Sequence, residues 1–337
     1  MKKLLFILGA IWLCNCSPIL PIYAQTTLDF VKVQGNQFIN EAGETIIFKG
    51  VNIADPAKLV KDEKWSKHHF EMTKKWGANL VRLPVHPRAW RETGEEAYLE
   101  LLDQAVSWAK ELNLYLIIDW HSIGNLRAGL YQHPRYYTTQ QETLNFWKTI
   151  AERYTNNPVI AFYEIFNEPT TFNGKLGQIS WEEWKAINEE IIDLIYAYDT
   201  TVIPLVTGFN WGYDLSPIRT APIDRTGIGY VSHPYPQKVK PPYEEKWEDG
   251  WGYVADTYPL ICTEFGFMAA QDKGAHIPCI SDESYGTAII NYFHKKGISY
   301  TVWCFDPDWT PSMISDWNYT PTRQGTFFRE ALLGKLN

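Results

Sequence analysis

Short apolar runs rich in β-branched residues recur along the chain, separated by longer stretches in which apolar residues return every three or four positions. That alternation of a strand period with a helix period is the pattern of βα units and a parallel sheet. The strand-like runs are "IIFKGVNI" (46–53), "NLVRLPV" (79–85), "LYLIIDWH" (114–121), "VIAFYEIFNEP" (159–169), "TVIPLVTG" (201–208), "GIGYVSHPY" (227–235), "PLICTEFG" (259–266) and "SYTVWCFD" (299–306). Between them, Tyr98, Leu102, Ala105, Trp108 and Leu112 fit one helical face, and Trp184, Ile187, Ile191, Leu194 and Tyr198 another. Ser180 is placed to cap the second of these helices, with Glu183 as its capping-box partner. Eight parallel strands with helices between them predict a single-domain α/β fold closed into a (β/α)8 TIM barrel. An open doubly wound sheet would usually carry a glycine-rich phosphate loop after the first strand. "GVNIADP" has none.

The strand ends change the picture. A barrel of this kind carries its chemistry at the C-terminal ends of its strands. Here those ends hold Asn52, Arg82, His121, Asn167, Glu168, His233, Tyr235, Glu264 and Trp303, while the strand interiors are mostly apolar. One polar group closing a strand means little, but groups of this kind close seven of the eight. The two glutamates end the fourth and seventh runs. Cleavage of a glycosidic bond needs one carboxyl group to protonate the leaving oxygen and a second to attack the anomeric carbon, and this pair fits both tasks. The opposing reading makes them partners of a base such as Arg82 that merely hold the barrel top together.

Composition narrows the partners. Lys2, Lys3, an apolar run from Leu4 to Leu13 and a small-residue site at Ala24 form a secretory leader pattern, so cleavage after residue 24 is expected. Cys14 and Cys16 raise lipid anchoring through Cys16 as the lesser alternative. Without residues 1–24 the chain keeps 29 basic against 39 acidic side chains, a formal charge of −10. That balance excludes nucleic acid or an anionic membrane as the expected partner. Cys262, Cys279 and Cys304 are too few for a disulfide framework, so packing must hold the fold. The 15 Trp and 20 Tyr supply amphipathic rings suited to ligands that present apolar faces and hydroxyls, although most such rings fill cores.

"NLVRLPV", "DWH", "FYEIFNEP", "HPY", "TEFG" and "TVW" occur in the order found in glycoside hydrolase family 5, which the chain resembles from about residue 28 to 335. The resemblance implies a retaining (β/α)8 hydrolase with Glu168 as acid/base and Glu264 as nucleophile. It implies further that Asn167 donates to the sugar 2-hydroxyl, that Arg82 keeps Glu264 ionised by lowering its pKa, and that His121, His233 and Tyr235 line the reacting subsite. Trp303 would be the platform beneath the reacting sugar, with the Trp303–Cys304 peptide a candidate for the cis form. The substrate so implied is a β-linked polysaccharide or oligosaccharide: β-1,4-glucan, cellulose or mixed-linkage glucan, with β-mannan as the alternative. A monomer is expected. No cofactor and no metal are expected, because His121 and His233 lack the tight spacing of metal ligands. An inactive glycan-binding barrel and a transglycosylase are the competing readings, the first disfavoured because both glutamates and Arg82 are present.

The remaining expectations concern single residues. Strand alternation puts Glu164 inside the barrel below Glu168, as a support satisfied by a core Arg or Lys. Cys262, two residues before Glu264, is expected to face inward, and Cys304 outward. Asp119 is expected to face outward, away from the chemistry. Trp90, Asp306, Asp308 and Trp309 are candidates for subsites beside the reacting sugar.

Overall fold

The computed structural model describes residues 28–336, so the candidate leader and Cys16 lie outside the described residues. The described chain opens with an antiparallel hairpin, β1 (Lys32–Gln34) and β2 (Gln37–Ile39). The barrel begins with β3 (Lys49–Asn52), β4 (Leu80–Val85) and β5 (Tyr115–Trp120). After β5 the chain forms β6 (Ile123–Asn125) and β7 (Leu130–Tyr131), then returns to the barrel in β8 (Ile160–Glu164). A short β9 (Glu168–Pro169) pairs with β6 above the barrel rim. The barrel is completed by β10 (Ile203–Thr207), β11 (Gly229–Val231), β12 (Leu260–Cys262) and β13 (Ser299–Val302), and β13 closes on β3. Its eight strands are parallel neighbours in chain order, with β8 hydrogen-bonded directly to β10. All eight predicted strands are present, each within its predicted run.

Helices form where the apolar stripes predicted them. Glu95–Leu112 buries Tyr98, Leu102 and Ala105, and Trp181–Tyr198 buries Trp184, Ile187 and Ile191. The second starts at Ser180, whose hydroxyl accepts from the Glu183 amide while the Glu183 carboxylate accepts from the Ser180 amide, closing the predicted capping box. None of the described helices is long and apolar enough to cross a membrane.

Inside the barrel the two-residue alternation divides the height into an apolar lower half and a polar upper half. Leu80, Ile117, Phe162, Leu205, Val231 and Ile261 fill the lower half with Phe48. The β1–β2 hairpin closes the bottom by inserting Phe38, whose ring meets Phe162 edge-on at 4.9 Å and Phe48 at 5.9 Å. One step up the same strands stand Arg82, Asp119 and Glu164, all fully buried. Asp119 therefore faces inward, contrary to expectation: it shares its parity with His121, two residues on, and both side chains enter the barrel.

Both cysteine orientations also depart from expectation. Regular β12 ends at Cys262, and the irregular backbone beyond it turns Thr263 and Glu264 both inward. Cys262 consequently packs in the layer between sheet and helices, with Tyr285, Tyr292 and Phe293 in the same cluster. The Trp303–Cys304 peptide is cis. Cys304 lies in an apolar cluster at the barrel top with Tyr235, Cys279 and Trp303 rather than outside. All three cysteines are buried free thiols.

Close strand packing leaves β3 no room for a side chain at Gly50, where an added Cβ would lie 2.2 Å from the Leu80 carbonyl oxygen of β4. Gly50→Ala is expected to destabilise the fold by about 3 kcal/mol through overpacking, read as a lower urea midpoint by tryptophan fluorescence.

Candidate active site

Four strand ends converge on the Arg82 guanidinium. Its Nε and Nη2 donate to the two oxygens of Glu164, each at 2.7 Å. Its Nη1 donates to Glu264 Oε1 at 2.8 Å and to Asn52 Oδ1 at 2.9 Å. Nη2 also donates to Asn167 Oδ1 at 2.7 Å and lies 3.0 Å from Asp119 Oδ2. A planar five-donor group suits such a hub, because its fork matches a carboxylate bidentately and leaves an arm for others. Burial opposes the charge on Arg82, but Asp119, Glu164 and Glu264 together hold it firmly protonated. Glu164 is thus the predicted support beneath the site, kept below the usual carboxylate range by Arg82 and His233 although burial acts the other way.

Glu264 is held by both oxygens, since Oε2 accepts from the Tyr235 hydroxyl at 3.1 Å. Its carboxyl nevertheless stands above its ordinary pKa. Burial raises it, and His233 and Arg82 only partly pull it back. The lowering expected from Arg82 is present but is outweighed by desolvation.

Glu168 sits in different company. Its backbone is fixed outside the barrel ladder by the β9–β6 pairing, and its amide donates to the Ser122 carbonyl at 3.0 Å. His233 Nδ1 lies 3.0 Å from Glu168 Oε1, and His233 Nε2 lies 2.9 Å from Thr263 Oγ1, which in turn donates to Glu164 at 3.1 Å. Burial would lower His233, but Glu264, Glu164 and Glu168 outweigh it and raise the imidazole to about 9. The ring is fixed from behind by Gly212, where a Cβ would come within 2.8 Å of His233 Cγ. Gly212 also adopts φ +73°, a region that glycine enters without cost.

His121 Nδ1 lies 2.6 Å from Asp119 Oδ2, and burial, with Arg82 nearby, holds the imidazole well below its ordinary value. Its ring lies parallel to Trp303, 5.6 Å between centroids and 7° between planes. Trp303 is parallel in turn to Trp309 at 5.6 Å and 14°. Oxygens of Glu168 and Glu264 and a nitrogen of His233 lie within 4.8 Å of one another, a spacing that could hold an ion. A protonated His233 with both nitrogens engaged has no lone pair to offer one.

The eight predicted site residues, Arg82, His121, Asn167, Glu168, His233, Tyr235, Glu264 and Trp303, thus form one contact network. Of the further candidates, Trp309 joins it through Trp303. Trp90 does not: it is buried against Phe146 at 4.9 Å and Tyr98 at 5.5 Å, as core between helices. Asp306 is buried as well, paired with Lys58 at 2.7 Å and accepting from the amides of Asp308 and Trp309. Above the network lies a cleft of about 620 Å³ whose lining includes Glu168, Glu264 and Trp303. Gln132, Phe172, Trp211 and Lys238 also line it and were missed in the sequence. They stand on loops, where no periodicity marks them.

Residues 39–308 match the family model described as Cellulase (glycosyl hydrolase family 5). The chain is 22% identical to an endoglucanase of Paenibacillus polymyxa over 87% of this chain and 85% of that protein. It is 24% identical to endoglucanase E-5 of Thermobifida fusca over 84% of this chain, which spans 57% of that longer protein. Among solved structures it resembles the β-glucanase SdGluc5_26A of Saccharophagus degradans in complex with cellotetraose, at 53% identity and a TM-score of 0.91 over 93% of this chain and 95% of that one.

Removing the hub cation should be costly. Arg82→Met leaves Glu164, Asp119 and Glu264 without it, an expected loss of about 3–5 kcal/mol in urea unfolding. Adding Glu164→Gln removes one of the stranded charges and should recover part of that loss. A separate expectation concerns pH. His233 is raised in the folded state, so its contribution to stability is complete below its unfolded pKa near 6.5 and is lost as pH rises through about 9. Urea midpoints should fall across that window in the wild type and fall less in His233→Asn.

Proposed function

The chain belongs to glycosyl hydrolase family 5 and is an endo-β-glucanase, a glycoside hydrolase; within that activity we propose that Glu264 is the nucleophile and Glu168 the acid/base of a retaining double displacement. The observation that carries this reading is the approach of the two carboxylates, an oxygen of Glu168 within 4.8 Å of an oxygen of Glu264. Retaining pairs stand roughly 5–5.5 Å apart, whereas inverting pairs leave about 6.5–9.5 Å for a water between them.

The surroundings divide the roles. Glu264, held at both oxygens by Arg82 and Tyr235, is fixed for attack on the anomeric carbon. That attack forms the Glu264–sugar ester as Glu168 gives its proton to the departing glycosidic oxygen. Glu168 then takes a proton from water, whose oxygen displaces Glu264 and restores the starting configuration at the anomeric carbon. The Glu264 carboxyl, raised by burial and by the neighbouring Glu168 and Glu164, is drawn back toward ionisation by His233 and Arg82.

Asn167 is fully buried and spends its Oδ1 on Arg82, while its Nδ2 has no hydrogen-bond partner among the described residues. A buried unspent donor beside the reacting carbon fits the role of donor to the sugar 2-hydroxyl. Trp303, parallel to His121, offers the flat apolar face a pyranose requires. The substrate that suits this site is a β-1,4-linked or mixed-linkage glucan, cut internally by a monomer. Export of the mature chain is part of the reading, because such a polymer is met outside the cell.

The test uses the two truncations. Glu264→Ala should lose activity by about 10⁴-fold or more even on aryl cellobiosides, because no ester can form. Glu168→Ala should keep the first step on an aryl glycoside, whose phenolate leaves without a proton, and should regain turnover with azide as a β-glycosyl azide. With Glu264→Ala, azide can act only from the opposite face and give the α product. Proton NMR of the azides reads both roles, and the reversed pair of configurations would exchange them.

A further inference from the structure

The cleft has two arms, which share His121, Tyr136, Trp303 and Thr310. One runs along Trp303 and Trp309. The other, beside Glu168, is built from Trp211, Phe172 and Lys238. Trp211 is tightly set: its indole N–H donates to Gln132 Oε1 at 2.7 Å, and Phe172 meets it edge-on at 5.4 Å. Asn210 and Trp211 both take left-handed backbone conformations, φ +56° and +54°, which a bulky side chain rarely adopts and which concentrate at ligand sites.

Lys238 stands over this segment. It follows Tyr235 in a short 3-10 turn, its Nζ donates to the Asn210 carbonyl at 2.7 Å, and it sits 4.9 Å over the Trp211 ring. Among the described residues its hydrogen bond is the one to Asn210. Burial lowers the ammonium to about 8, with Glu168, Cys279 and Glu264 acting against that fall, Glu168 most strongly. An ammonium carries three donors, and here only one is spent on protein. The general acid has to touch the glycosidic oxygen, so the leaving sugar must lie directly beside Glu168. Lys238 lines the arm that also holds Glu168, whereas the arm along Trp309 does not include Glu168.

We propose that Lys238 is a specificity-determining residue of the leaving-group side, donating to the hydroxyls of the pyranose that departs from Glu168. This rests on the assignment of Glu168 as the acid. Lysine is suited to the task because hydroxyl oxygens accept from it in several orientations, and its ammonium, set over the Trp211 ring and bonded to the Asn210 carbonyl, keeps two N–H groups unspent. The consequence is selectivity for a sugar over other alcohols as leaving group, exerted through binding.

The experiment compares Lys238→Met and Lys238→Arg with the wild type on cellopentaose and on 4-nitrophenyl β-cellotrioside, measuring kcat and KM separately. On the aryl substrate no sugar occupies the leaving side. In Lys238→Met, the ratio of kcat/KM for cellopentaose to that for the aryl glycoside should fall about tenfold, chiefly through KM, as expected for a charged donor lost to a hydroxyl. Lys238→Arg, which keeps a cationic donor, should recover most of the ratio. An unchanged ratio, an equal fall on both substrates, or a Lys238→Met chain that does not fold would make Lys238 a clamp on the Asn210–Trp211 segment and overturn the proposal. Reversed azide configurations in the glutamate variants would instead overturn the reading beneath it, so the two failures are distinguishable.

Discussion

Everything at the top of this barrel depends on one buried cation having enough partners. Arg82 is completely shielded from water, and an unpaired charge there would cost several kcal/mol. The chain answers with a division of labour. Glu164 neutralises the guanidinium bidentately from below, so the Nη1 edge is left to orient Glu264 rather than to bury it in a closed pair. A carboxylate locked into a bidentate bridge would have its lone pairs spent; one held by a single guanidinium arm and a tyrosine hydroxyl keeps a face open, as the nucleophilic role proposed for Glu264 requires. Asp119 extends the same network outward, fixing the His121 ring and so the plane on which Trp303 rests.

Such a polar layer is tolerable only above a packed one. The rings of Phe38, Phe48 and Phe162, together with the branched side chains around them, fill the lower barrel and keep water away from the ion network's underside. The low dielectric this creates strengthens each bond to Arg82 and raises Glu264, two consequences of one cause. His233 balances the other side. It contributes a second positive charge beside Glu168 and connects that glutamate through Thr263 to Glu164, so both halves of the pair hang from the same buried carboxylate.

The strands and the residues at their ends were legible because period-two alternation and the strand-to-helix switch are local signals. Where alternation was followed too far it misled. At Cys262 the strand stops, and the register implied by Glu264 no longer applies; at Asp119 the parity shared with His121 already pointed inward and was misread. Trp90 illustrates a different limit. Tryptophan at a helix near the rim has the same local sequence whether it meets Phe146 or a sugar, and only the packing decides. Gln132, Phe172, Trp211 and Lys238 were not legible at all, since they come from separate loops and meet only through tertiary contacts such as the Trp211–Gln132 hydrogen bond.

The floor and the arms of the cleft are therefore built by different physics. The floor is cut from strand ends and held by buried ionic bonds that reach across the barrel, so altering any one member disturbs the rest. The arms are loops fastened by local polar bonds: Gln237 to the backbone of Pro278 and Ile280 on one side, Asp306 to the amides of Asp308 and Trp309 and to Lys58 on the other. None of these fasteners touches Glu168, Glu264 or Arg82. A loop can thus be rebuilt around a different sugar without moving the carboxylates, while a change in the ion network alters the chemistry whatever sugar is bound. That separation explains why the reaction could be read from strand ends in the sequence while the fine choice of glycan could not.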